Sequence, residues 1–430
     1  MTNNHRGGSS RYNRIRSEGA APTRHGRVAT RGPLANLIRI AAMSLAVLVA
    51  ATVAVGGIAV WSVAASVQPS IHLTNANGKA VAPPPNVGAI SGGVNLLLVG
   101  TDTRTGQGGA FATKAELAGS SGAGSNDVTI LLHIAADHKS ATVISIPRDL
   151  MVPIPACPTS SGGTSPASSL AMFNTGLSRG GLNCVVLTAE QMTGLTIPYA
   201  AEISFDGVSQ MSDAVGGVSV CVATPINDPY TGLNLPAGQQ TIVGQTALEF
   251  LRTRHGVGDG SDLGRISNQQ VFLSALERKV TTGGVLSNPI QLYSLAKAAV
   301  SNMSLSDSLT NPATLVSIGV ALKSVGLPNM VFLQYPATGD PANPNRVIPL
   351  ASAANQLDSA LVADQPIQLS GTVGRAAVVA PPTTPAAPAT SAPAPAPSAA
   401  PSSSAPGAVV LPPSVTGQTA AENTCSKGNG

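Results

Sequence analysis

The chain has 430 residues, of which 43% are hydrophobic, 3% aromatic and 10% charged, and its net charge is +4. The charge is unevenly spread: residues 1–39 hold eight Arg and one Glu (+7), and the rest of the chain holds 16 basic and 19 acidic residues (−3). A mildly acidic body excludes the basic stripe of a nucleic-acid binder. A core so poor in aromatics must be built mainly from Ala, Val, Leu and Ile.

In chain order, residues 1–39 read as a basic tail. Residues 40–67, "IAAMSLAVLVAATVAVGGIAVWSVAASV", contain no charged residue and are long enough to span a bilayer as a helix with some tilt. The Arg-rich lead predicts a cytoplasmic N-terminus, with everything after Gln68 outside. The long polar lead and the length of the apolar run argue against a cleaved signal peptide. A Pro- and Gly-rich linker is expected over 68–92 and an α/β domain over 93–370. From 371 to 430 we expect a Pro, Ala and Ser-rich tail that is disordered or extended, because "PPTTPAAPATSAPAPAPSAAPSSSAP" cannot bury a core.

Three apolar runs read as strands: "VNLLLVG" (94–100), "DVTILLHI" (127–134) and "ATVISIP" (141–147). The short polar turn "AADHKS" makes the second and third an antiparallel hairpin. The start of the second strand and the end of the third then share one sheet edge. An antiparallel first strand brings its exit, "GTDTR", to the same edge. Asp102, Arg104, Asp127, Arg148 and Asp149 are therefore expected together.

The segment "GQTALEFLRTRHG" reads as a helix ending near Arg252. Arg252 and Arg254 are two apart, which points them the same way only in extended chain. A loop with Gly256, Gly258 and Gly260 follows, and a second helix is expected from Asp262, with Asp262, Arg265 and Gln269 sharing one of its faces. Arginine forks suit phosphate oxygens. Carboxylates beside them call for a hard cation between, and Mg²⁺ is typically held by one or two carboxylates plus phosphates. The pattern thus points to a pyrophosphate clamp with Mg²⁺.

Cys157, Cys184, Cys221 and Cys425 have no zinc-like spacing and suit an oxidising compartment. Cys157 and Cys184 flank one loop-rich insert and are the favoured bridge, which leaves Cys221 to pair with Cys425. The "GLSRG" match to a nucleophile elbow at Ser178 lacks a convincing preceding strand. His133 and His138 are read as structural or surface residues.

The pieces "NLLLVGTDTR", "SNDVTILLHI", "ISIPRDLMVPIP", "FNTGLSRGG", "DAVGGVSVCV", "LPAGQQTIVGQTALEFLRTRH" and "DLGRISNQQ" together resemble the LytR-CpsA-Psr family of cell-wall glycopolymer ligases. The resemblance implies a mixed central sheet flanked by helices. It also implies transfer of a polyprenyl-pyrophosphate-linked polysaccharide or teichoic acid to peptidoglycan. It places Asp102 and Asp127 on the metal and Arg104, Arg148, Arg252, Arg254 and Arg265, with Gln269 beside them, on the pyrophosphate. Arg148, Asp149, Arg252, Arg254 and Asp262 form the expected catalytic set, with Asp149 or Asp262 taking the acceptor's proton. Asn268 stands where the family often has Arg, so one phosphate contact is expected to be missing or supplied from elsewhere. A polyprenyl tail further requires an apolar groove. The rival from another class is a non-catalytic wall- or lipid-glycan-binding scaffold.

Overall fold

The computed structural model describes residues 32–64, 70–75, 77–81, 93–103, 124–282, 284, 289–380 and 407–429. The first element, α1 (Pro33–Ala64), is helical throughout. Its stretch Asn36–Ile58 has 23 residues with a mean hydropathy of 2.2, long and apolar enough to cross a membrane. The helix begins before Ile40 because proline suits a first helical turn, and Arg39 ends the apolar run without breaking the backbone ladder. Residues 65–67 and the basic tail up to residue 31 lie outside the described residues.

A mixed α/β domain follows. Its principal strands are β1 (Val94–Thr101), β2 (Asn126–Ile134), β3 (Ala141–Ile146), β4 (Tyr199–Ile203), β5 (Val218–Thr224), β6 (Gly238–Ile242), β7 (Met303–Leu305), β8 (Met330–Gln334), β9 (Ala377–Val379), β10 (Gly417–Thr419) and β11 (Thr424–Lys427). Its helices are α2 (Gly176–Thr193), α3 (Phe205–Ala214), α4 (Gly244–Arg252), α5 (Asp262–Thr282), α6 (Pro289–Asn302), α7 (Pro312–Val325) and α8 (Ala351–Val362). The central sheet runs β7-β4-β1-β2-β3-β8-β10 and a second sheet runs β6-β5-β11-β9. β1 and β3 are both antiparallel to β2, as the short turn dictates. β4 joins β1 and β8 joins β3 in parallel, which makes the sheet mixed.

Alternation along β1 sends Leu97 and Val99, both fully buried, to one face. There they meet Leu177, Val185 and Val186 of α2 and Ala354 and Leu357 of α8 in a continuous core. Leu96 and Leu98 point the other way and are only half-buried. That face is covered by α3, α4, α5, α6 and α7, the last packing Ile318, Ala321 and Val325 into its core, and a cavity of about 330 Å³ is left between helices and sheet, lined by Leu98, Ile130, Phe205, Leu248, Phe272 and Leu276 among others.

Two expected boundaries shift. The 68–92 linker is not wholly free: Leu73 is buried in the core, and Ile71 bridges Ser306. The fold also continues past residue 370. β9, β10 and β11 lie within 371–430, with β10 paired to β8 and β11 paired to β5 and β9. Composition carries no sign of them because these strands are short and join sheets built by distant segments, β11 lying between β5 and β9. Residues 381–406, the most Pro- and Ala-rich part, lie outside the described residues. Both disulfides form as expected, Cys157–Cys184 and Cys221–Cys425, the second tying β5 to β11.

Candidate active site

The site begins with a bulge. Gly100 pairs with Val128 and Thr101 with Asn126, so Asp127 is an extra residue in β2. A bulge re-aims side chains relative to strict alternation. Asn126 turns toward α2, where its Nδ2 donates to Thr129 Oγ1 at 3.0 Å and its Oδ1 accepts the Leu177 N–H at 3.3 Å. Asp127 and its neighbour Val128 both line the cavity. On the adjoining strand exit, Asp102 Oδ1 accepts the Ser125 N–H at 2.6 Å. A Cβ on Gly124 would lie 2.6 Å from that oxygen, and its φ is +68°, in the left-handed region, so only glycine fits.

Around Asp127 the charges interlock. Arg148 Nη1 donates to Asp127 Oδ1 at 2.9 Å, and Arg148 Nε lies 3.5 Å from both Asp149 Oδ2 and Asp262 Oδ1. Arg265, nearly buried, places Nη2 2.6 Å from Asp262 Oδ1 and donates from the same nitrogen to the Asp127 carbonyl at 2.8 Å. Burial opposes the charge on Arg148, but Asp127, Asp262 and Asp149 outweigh it and hold its pKa above the ordinary arginine value. Asp262 Oδ2 is buried and has no hydrogen-bonding partner among the described residues. The sheet edge therefore gathers Asp102, Asp127, Arg148 and Asp149 as the strand polarity predicts. Arg104 lies outside the described residues.

The arginine pair follows a helix end. α4 closes at Arg252, and Thr253 takes an extended ψ of 134°. Arg252 lines the cavity with its guanidinium 4.2 Å from the Phe205 ring centre, a cation–π distance. Thr253 between the two arginines is fully buried and donates its hydroxyl to Asp228 Oδ2 at 2.5 Å. The Arg254 N–H reaches the same oxygen at 3.2 Å. Burial works against the Asp228 carboxylate, but Thr253 and the N–H groups of Tyr230, Arg254 and Gly256 outweigh it and hold its pKa below the usual range. Arg254 itself is half-buried and is not among the residues lining the cavity.

The start of α5 locks the end of α4. Asn268 Nδ2 donates to the Phe250 carbonyl at 2.6 Å and Gln269 Nε2 to the Leu251 carbonyl at 2.9 Å. These are carbonyls that a helix C-terminus leaves without internal partners. Asn268 is fully buried and accepts a hydrogen bond from Ser426 of β11. The residue at 268 therefore sits in a helix–helix–strand junction, not in the cavity. Gln269 lines the cavity wall with its amide already engaged.

Two residues were not anticipated. Asp228, in the ribbon Ile226–Asp228 with Leu233–Leu235, carries no local signal. Arg346 lies on the ribbon Ala337–Asp340 with Asn343–Pro349 and brings Nη1 to 3.6 Å from Asp149 Oδ1. Both depend on pairing between segments far apart in sequence. The Ser178 hydroxyl donates to the Thr175 carbonyl at 3.0 Å inside α2, away from any elbow. His133 is buried between Asn95 and Asp364, and His138 occupies the β2–β3 turn at φ 54°.

Among the described residues no group of three or more His, Cys, Asp or Glu side chains is placed to hold a metal ion. Asp102 and Asp127 supply two hard oxygen donors at adjoining strand ends. That number fits Mg²⁺ when phosphate oxygens complete its shell.

Fold and site together define an α/β domain whose sheet is packed on both faces but encloses an apolar cavity on one of them, with an arginine–aspartate cluster at the mouth of that cavity. The model of the LytR_cpsA_psr family matches residues 63–361, and the chain belongs to that family. The cell wall biosynthesis protein LcpA of Corynebacterium glutamicum is 29% identical over 269 residues, covering 58% of this chain and 51% of LcpA. The polyisoprenyl-teichoic acid–peptidoglycan teichoic acid transferase TagU of Oceanobacillus iheyensis is 33% identical over 182 residues, covering 42% of this chain and 50% of TagU. The chain thus spans about half the length of these curated relatives. The crystal structure of protein gbs0355 from Streptococcus agalactiae shares the fold, with a TM-score of 0.50 at 21% identity over 64% of this chain and 88% of that one.

Proposed function

We propose that the protein is a membrane-anchored phosphotransferase that moves a polyprenyl-pyrophosphate-linked glycopolymer onto peptidoglycan outside the cell membrane. The observation that carries this reading is the join between an apolar cavity and a charged mouth: Leu98, Phe272 and Leu276 line one part, and Asp127, Arg252, Arg265 and Gln269 another. Such a site suits a ligand with a long hydrocarbon tail ending in a multiply charged head. TagU is named as a transferase of a polyisoprenyl-linked teichoic acid to peptidoglycan, which is the same ligand chemistry. The α1 anchor, the Arg-rich segment before it and the two disulfides agree with an extracytoplasmic domain.

In this reading Arg148, Arg252, Arg254 and Arg265 orient the pyrophosphate. An acceptor hydroxyl oxygen attacks the phosphorus bearing the glycan. A new P–O bond forms, the P–O bond to the polyprenyl phosphate breaks, and that phosphate departs with the charge the arginines stabilise. The hydroxyl proton passes to a carboxylate. We assign it to Asp262, whose Oδ2 has an unused lone pair, while Asp149 stays between Arg148 and Arg346. Asp102 and Asp127 would hold Mg²⁺, which when bound supplies further neutralisation of phosphate charge.

The test is glycan transfer by the full-length protein in detergent micelles, from a polyprenyl-pyrophosphate glycan to peptidoglycan oligomers. Arg252→Ala should lower the rate by about 10²–10³, the size of effect seen when one transition-state donor is removed. Arg252→Lys keeps the charge but loses the fork and should recover only part of the rate. Transfer at the unmutated rate by a folded Arg252→Ala protein would leave the scaffold reading in its place.

A further inference from the structure

We infer that Tyr230 and His255 form a platform for the sugar ring that follows the pyrophosphate in the donor, an inference that rests on the function proposed above. Among the described side chains, the exposed Phe, Tyr and Trp rings are Trp61 of α1 and Tyr230, the latter 80% exposed. Tyr230 stands against the exposed ring of His255, with centroids 4.4 Å apart and planes tilted by 41°. A large ring left in water in a domain whose other aromatics are mostly buried has no role in the core. Its exposed apolar face instead matches the C–H face of a pyranose, while the Tyr hydroxyl and imidazole nitrogens supply polar edges.

The pair is held in place. Asp228 Oδ1 accepts the Tyr230 N–H at 3.0 Å, and Oδ2 of the same buried carboxylate accepts from Thr253 and from the Arg254 N–H. The His255 carbonyl accepts from the Asn429 side-chain amide, and the Gly256 carbonyl accepts the Asn429 N–H at 3.2 Å. One carboxylate thus fixes the platform and the arginine segment as a single unit. Rigid aromatic contacts of this kind bind at low entropic cost.

Position gives the ligand its class. His255 is three residues beyond Arg252, so their Cα atoms are at most about 10 Å apart. In the donor, the glycan leaves the pyrophosphate on the side opposite the apolar tail. With the tail in the cavity and the pyrophosphate at Arg252 and Arg254, the first sugars fall within reach of Tyr230.

The experiment compares two ligands on the full-length protein in detergent micelles: bare polyprenyl pyrophosphate and a polyprenyl-pyrophosphoryl disaccharide. Tyr230→Ala should raise the Kd for the disaccharide donor by about threefold to tenfold more than the Kd for the bare lipid, the range expected for one aromatic contact. Tyr230→Trp should keep the disaccharide preference, and His255→Ala should lose part of it. Equal effects of Tyr230→Ala on both ligands would overturn the platform and leave the clamp standing. A rise in acceptor KM with unchanged donor Kd would overturn the donor assignment. Failure of the unmutated protein to bind bare polyprenyl pyrophosphate would sink the proposed function and the platform together.

Discussion

The two faces of the central sheet use similar side chains to opposite ends. On one face Leu97, Val99, Leu131 and Ile144 are fully buried against α2 and α8. On the other, Ile134, Val143 and Phe332 are buried against α7, but beside them Leu98 and Val128 are only half-buried and the helices stand off to leave the cavity. Interiors normally close to crystal-like density, so a hollow of this size marks where the fold gives up contact energy for a binding site. Apolar composition alone therefore says nothing about whether a face is packed or waiting for an apolar guest.

The largest expected effect lies on the packed face. Phe173 is fully buried there, and Phe173→Ala should cost about 3–5 kcal/mol through lost burial and an unfilled void. Denaturant midpoints would measure it. A loss below about 1 kcal/mol would mean that this face relaxes as readily as the hollow one and would erase the distinction.

A second test concerns the helix that walls the cavity. On α5, Leu273, Leu276 and Val280 line the hollow, whereas Glu277 is buried and burial raises its pKa from 4.5 to about 7. Between those two values the folded state holds a proton that the unfolded chain has released. The stabilising contribution of this group is thus full below pH 4.5 and is lost as the pH rises through about 7. Glu277→Gln should remove that loss and raise stability at pH 8 relative to pH 5 by up to about 3 kcal/mol. Parallel pH–stability curves for the two proteins would refute the prediction.

The smallest effect contrasts the faces directly by adding volume. Val208→Phe places a ring where α3 borders the cavity. It should leave the melting temperature nearly unchanged while weakening donor binding about tenfold, as the ring competes with the tail. Val185→Phe on the packed face should instead destabilise the domain by about 1–3 kcal/mol. Equal destabilisation by both substitutions would show that the hollow cannot admit a guest without strain.

Several features were already determined by local sequence. A six-residue-scale polar turn forces β2 and β3 antiparallel, and strand polarity then gathers Asp102, Asp127, Arg148 and Asp149 at one edge. The uncharged run after Arg39 builds the long apolar helix, the helix boundaries at Arg252 and Asp262 follow from their flanking residues, and the Cys157–Cys184 bridge closes one short insert. Each of these depends on neighbours in the chain or on chain direction.

Tertiary structure decided the rest. The bulge that turns Asp127 into the cavity arises from the register between β1 and β2, which no run of residues announces. Asn268 reads as a lost phosphate contact until α4 and β11 close around it and use its amide. Asp228 and Arg346 reach the site through ribbons whose importance appears only when they pack beside Thr253 and Asp149. β10 and β11 look like the end of a tail because a short strand gains its stability from the sheet edge it joins, and that edge is made by β8 and β5, far earlier in the chain.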